Sequence, residues 1–222
     1  MLGLGDENVS SDLGSGFVVL QCWDKLNPMK KLSTYLFLIF FSFQTSSWAD
    51  DIRDFQIEGM SIGDSALDYF TKEELNNALD ITYYKNNTFM YYFLDVPNSQ
   101  TYESIQITVK PDDKKYIIYN LDGHIFYYKN IKNCYKKMDE VKKDIDSVFT
   151  VKSKSDTANH PIDETGNSKY SRIAYRFPSG DIAEIICYDM SKKLEGKGKY
   201  DRFAITLGLK EFRSFLTNVQ YK

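Results

Sequence analysis

The chain has 222 residues, with 28 Lys and Arg against 31 Asp and Glu and a formal net charge of −3. That balance lacks the basic footprint of a nucleic-acid binder. Two histidines and three cysteines, none paired at metal-ligand spacing, argue against a zinc centre.

Residues 1–28 carry no basic end and no hydrophobic period, and Gly, Ser, Asn and Asp are scattered through them. They read as an extension from a mis-called start, disordered if translated, and stand outside the fold. Met29 to Ala49 reads as a secretory signal peptide. Lys30 and Lys31 form its basic end, Leu32 to Phe43 its apolar run, and Ser47 and Ala49 the small residues before cleavage at Ala49–Asp50. A spanning helix needs about 20 consecutive apolar residues, and this run ends after about 12. The expected location is periplasmic or secreted, with membrane contact only through the signal peptide before cleavage.

Asp50 to Lys222 is then the size of one domain. Three of the 28 basic and four of the 31 acidic residues precede Asp50, which leaves a net charge of −2. Asp50 to Ile57 is a polar lead-in. Gly59 and Gly63 bracket a turn, and Asp64 is placed to cap a short helix carrying Leu67 and Phe70. Thr71 and Glu74 have capping-box spacing for a second helix through Leu79, so this region predicts a helical hairpin. Thr88–Asp95, Tyr102–Lys110 and Tyr116–Leu121 read as strands. Asp122-Gly123 is either a two-residue turn before His124–Lys129 or a glycine bulge in one long strand, and the bent continuous strand is favoured.

Ile131 to Phe149 has the three- and four-residue apolar spacing of one long amphipathic helix, with Asn130 before it and Cys134 on the apolar side. Val151 to Lys169 reads as a long polar loop. Tyr170–Phe177 and Ile182–Asp189 form a hairpin, with Cys187 on the same side of its strand as Ala183 and Ile185. A flexible basic connector at Glu195–Lys199, a strand at Arg202–Leu207 and a closing helix at Lys210–Val219 follow. The expected fold is α+β: a mainly antiparallel sheet of five to seven strands packed by the long helix, with an N-terminal helical hairpin and a C-terminal helix. In an oxidising compartment Cys134 and Cys187 are expected to form one disulfide, the alternative being two buried thiols.

No G-x-S-x-G elbow is present, and the acidic pairs lack the alternation of a calcium loop, so no cofactor or metal is called. His160 and Asp163 are the sharpest candidates for catalysis, although His-Pro-x-Asp also reads as a turn whose aspartate accepts a backbone amide. Tyr91, Tyr92, Tyr127 and Tyr128 are candidates for a binding face, against the alternative that they are buried.

The leader ending Ala49-Asp50-Asp51 and the opening Ile52-Arg53-Asp54-Phe55-Gln56-Ile57-Glu58-Gly59-Met60-Ser61-Ile62-Gly63-Asp64-Ser65 resemble a family of uncharacterised small exported bacterial proteins with one cysteine pair. So do Cys134 with its helix, the loop His160-Pro161-x-Asp163-x-x-Gly166-x-Ser168, and Cys187-Tyr188-Asp189. The resemblance implies an envelope or secreted location and no particular activity. The opening glycine motif and helix are also similar, at the level of fold, to small α+β envelope-assembly and inhibitor domains. The leading expectation is a non-enzymatic interaction module whose partner is an envelope protein or a small ligand. A small-molecule or glycan binder using the tyrosine face comes second, and a hydrolase using His160 and Asp163 third.

Overall fold

The computed structural model describes residues 51–222 apart from Lys129. The extension, the signal peptide and the cleavage site at Ala49–Asp50 lie outside the described residues. Among the described residues no helix is long and apolar enough to cross a membrane.

The strands are β1 (Asp80–Tyr83), β2 (Met90–Asp95), β3 (Ser104–Val109), β4 (Asn120–Phe126), β5 (Ser153–Asn159), β6 (Lys169–Arg176), β7 (Ile182–Asp189) and β8 (Arg202–Gly208). They form one antiparallel sheet in the order β1-β2-β3-β4-β8-β7-β6-β5. Two four-stranded meanders therefore meet at the β4·β8 seam. The connection between them is the long helix Ile131–Val148. This corrects the expected architecture: over the described residues the fold is mostly β, with eight strands rather than five to seven and a single long helix.

The helical hairpin is overturned as well. Asp64 is not the expected cap: it accepts from the Ser61 amide, and Ser65 caps a turn of only three residues at Ala66–Asp68. The Thr71–Glu74 capping box forms but holds only a one-turn helix at Lys72–Asn76. Two asparagines end that helix, and the Leu79 amide then donates to the Phe93 carbonyl at 2.8 Å. Residues expected to prolong a helix instead lead into edge strand β1.

Side chains alternate across a strand, so the register sorts them into two faces. One face is apolar. It carries Ile105 and Ile107 of β3, Leu121 of β4, Phe203 and Leu207 of β8, Ile185 and Cys187 of β7, and Ile173 and Tyr175 of β6, all buried. Val141 and Ile145 of the long helix join this core, and Cys134 bonds to Cys187 with 5.9 Å between their Cα atoms. The N-terminal segment completes the cover. Ile52, Phe55, Ile57, Met60 and Ile62 are all buried, and the Phe55 ring stacks on Phe149 with centroids 4.0 Å apart. The expected polar lead-in is thus part of the core.

Gly123 lies inside β4, which runs through without a turn. A Cβ there would stand 2.7 Å from the Tyr102 ring and 3.0 Å from Ile57, so only glycine lets that ring lie on the strand. The C-terminal helix Lys210–Phe215 packs a second cluster, with Phe212 5.1 Å from Phe89 and 5.3 Å from Tyr84 between ring centroids. A wider turn, Leu216–Gln220, follows it.

Candidate functional site

The other face of the sheet is polar where its strands are most central. β4 places Asn120, Asp122 and His124 there, β8 Arg202 and Thr206, β7 Glu184 and Tyr188, and β6 Arg172. β3 adds Ser104 and Gln106, and β2 adds Tyr91 and Phe93. Asn120, Asp122, His124, Thr206, Glu184 and Ser104 are nonetheless buried. Groups of this kind are costly to desolvate unless paired, so their partners decide what the face can do.

Asp122 is well supplied. Its Oδ1 accepts from Thr206 Oγ1 across the seam at 2.5 Å, and Oδ2 accepts from Asn120 Nδ2 at 2.7 Å and Gln106 Nε2 at 3.3 Å. Burial pushes its carboxyl up to about 6, with the Thr206 hydrogen bond and Arg213 acting the other way. Glu184, with only 1% of its side chain exposed, is held between two guanidinium groups: Arg172 Nη1 at 3.1 Å and Arg213 Nη2, from the C-terminal helix, at 2.8 Å. Arg172 also forms a fork on Asp156 of β5, at 2.9 and 2.5 Å. Gly208 gives this helix its close approach, since a Cβ there would meet Asn120 Oδ1 at 2.9 Å and Arg213 Cδ at 3.0 Å.

Arg202 is the exception. Its guanidinium lies 4.2 Å above the Tyr188 ring, and its one hydrogen bond among the described residues is a long 3.5 Å contact to the Tyr200 carbonyl. Among the described residues no carboxylate lies within ion-pair distance of it, and burial lowers its pKa. The same face holds four buried polar atoms with no hydrogen-bond partner among the described residues: Ser104 Oγ, Thr108 Oγ1, Asn120 Oδ1 and His124 Nδ1. Burial, and secondarily the Arg202 charge, depress His124 to about 3, so its imidazole is neutral.

The residues expected from the sequence fall elsewhere or at the margin. Asp163 is turned into its own loop, where it accepts from the Thr165 amide and hydroxyl at 3.1 and 2.6 Å and the Ser168 amide and hydroxyl at 3.0 and 2.5 Å. The Ser168 and Thr165 hydroxyls hold its carboxyl well below the usual carboxylate range. His160 Nδ1 accepts from the Ile162 amide at 3.3 Å, and its ring stands 5.4 Å from Tyr188, at the rim of the polar face. Burial, then Arg202, lowers His160 to about 4. Tyr91 lies on the polar face, with its hydroxyl donating to Asp80 Oδ2 at 2.8 Å. Tyr92 is buried in the apolar core, Tyr127 packs half-buried against it, and Tyr128 is 51% exposed beside Tyr200 and Phe126. The four tyrosines do not form one surface.

Asp122, His124, Glu184, Arg172, Arg202 and Arg213 were not among the expected site residues. One signal was available: Glu184 is the sole charge inside the apolar run Ile182-Ala183-Glu184-Ile185-Ile186, which marks a carboxylate that must be buried and paired. Among the described residues no group of three or more His, Cys, Asp or Glu is placed to hold a metal ion. Comparison with protein-family models, with curated proteins and with solved structures gives no match to this chain.

Proposed function

We propose that this is an exported, non-enzymatic binding protein that takes a small polar ligand on the polar face of its sheet. The observation that carries the reading is the convergence, on one face, of Arg202 without a carboxylate partner and four buried polar atoms without hydrogen bonds, among the described residues. Native proteins keep few buried polar groups unsatisfied, so a cluster of them calls for a partner, and a few convergent polar groups beside aromatic side chains are what a small-molecule site offers. The oxidised Cys134–Cys187 pair supports export, as does the leader that resembles those of small exported bacterial proteins.

Recovery of the native protein from its envelope or culture fluid tests both parts. N-terminal sequencing is expected to begin at Asp50, and mass spectrometry of the denatured sample is expected to release a near-stoichiometric small molecule. An Asn120→Ala, His124→Ala variant that folds should release none. An intact leader sinks the export reading, and a ligand-free native protein sinks the binding reading. The second reading, a protein-interaction module, is favoured by the ring cluster of Phe126, Tyr128 and Tyr200, whose centroids lie 5.6 and 4.9 Å apart in succession. Cross-linking of an envelope protein through Tyr128 would select it.

A further inference from the structure

We infer that the ligand is a small organic carboxylate and that the Arg202 guanidinium is its anchor, an assignment that rests on the binding reading above. The cations of this face are not equivalent. Arg172 is committed to Asp156 and Glu184, and Arg213 to Glu184. The carboxylate of Asp122 is committed to Thr206, Asn120 and Gln106. Arg202 alone among these arginines faces the site with its charge unmatched by a carboxylate within ion-pair distance among the described residues.

Its presentation suits a planar anion. The Tyr188 ring covers one face of the guanidinium at 4.2 Å, and among the described residues Nη1 makes only the long contact to Tyr200. A guanidinium stacked in this way is fixed in its plane and keeps edge N–H groups to offer, in the fork that matches the two oxygens of a carboxylate. The neighbouring positions supply neutral partners. Arg202 pairs with Phe126 across the seam, His124 pairs with Ala204 two residues along β8, and Ser104 pairs with His124. The unpartnered Ser104 Oγ and His124 Nδ1 thus share the cross-strand row next to that of Arg202. Tyr91, Phe93 and Tyr188, all half-buried on the same face, give an organic body apolar surface that a bare inorganic oxyanion does not use.

The test is isothermal titration of the full chain at low ionic strength with benzoate and glucuronate, with benzamide and glucose as their uncharged counterparts, and with inorganic phosphate. At least one carboxylate is expected to bind about tenfold or more tightly than its counterpart, and Arg202→Gln is expected to lose about that factor, with Arg202→Lys between. Equal binding of the uncharged counterpart overturns the assignment, as does unchanged carboxylate affinity in a folded Arg202→Gln protein. Binding of phosphate alone overturns the organic carboxylate. If Arg202→Gln does not fold, the comparison of carboxylate with counterpart on the unaltered protein decides. Absence of binding by every probe also counts against the assignment. Recovery of an uncharged native ligand removes the anchor and leaves the binding site standing, so the two readings fail separately.

Discussion

Asp122 and His124 stand two residues apart on one strand, and burial drives both toward the uncharged form, the carboxyl up to about 6 and the imidazole down to about 3. Their effects on stability therefore run in opposite directions with pH. The folded state holds the Asp122 proton more tightly than the unfolded chain does, so that stabilisation is complete below the ordinary aspartate value of 3.8 and is lost as pH rises through about 6. His124, and His160 at about 4, contribute stability above the ordinary histidine value of 6.5 that is lost as pH falls toward those depressed values. Asp122→Asn removes only the falling component. Its stability relative to the parent protein is expected to rise between pH 4 and 6.5 by something on the order of 2–3 kcal/mol. Urea unfolding of both proteins across that range measures it, and a pH-independent difference would refute the account. Gly123→Ala is a steric test on the same strand. With the Tyr102 ring 2.7 Å from the new methyl, it should cost roughly 1–3 kcal/mol, read from the same urea midpoints.

At the scale of elements, two cross-links hold the helices to opposite faces of the sheet. The Cys134–Cys187 bridge, 53 residues apart in sequence, fixes the long helix to β7 on the apolar face. The chain-entropy model gives a loop of that length about 4 kcal/mol, so the Cys134→Ser, Cys187→Ser protein should lose about that much in urea unfolding. The ion-paired Glu184 fixes the C-terminal helix to the polar face. Glu184→Gln leaves Arg172 and Arg213 partly buried without that charge, a change that costs about 3–5 kcal/mol when a buried pair is broken. Amide exchange in Lys210–Phe215 should accelerate ahead of exchange in β7, and uniform acceleration would show that the ion pair does not act on this helix.

The same scale shows what the sequence made legible. Central strands and the long helix announce themselves because packed faces demand apolar residues at a fixed period, and β2, β3, β6, β7, β8 and Ile131–Val148 were all readable in this way. β5 was not. Its residues, Ser-Lys-Ser-Asp-Thr-Ala-Asn, contain no large apolar side chain and lie almost wholly exposed, so ladder hydrogen bonds and the Arg172–Asp156 pair define it as a strand. Edge strand β1 is similarly exposed. The candidate site was hidden for a related reason. Its members sit on six strands from β2 to β6 across the sheet, and only the β4·β8 seam brings Asp122 to Thr206, 84 residues away.

That seam also determines how the molecule behaves as a whole. Each meander alone would expose a sheet edge and half of the apolar face. Joined, they share one core in which Ile105 and Ile107 from the first half and Ile173 and Ile185 from the second belong to a single buried cluster, with Leu121 and Leu207 facing each other across the join. The polar face is continuous over the same line, because Asp122 bonds to Thr206 and Arg213 reaches Glu184 from the chain's end. Neither half retains its core or a satisfied polar network when the other opens, so the two should unfold together. Native-state amide exchange is expected to give β3 and β7 the same opening free energy within about 1 kcal/mol, both matching global unfolding. Thr206→Val keeps the shape but removes the hydroxyl bridge, and it should lower both openings equally. A first meander that opens well below the second would mean that the seam is only an interface between two separately folding halves, and the polar site would then have to be assigned to whichever half remains closed.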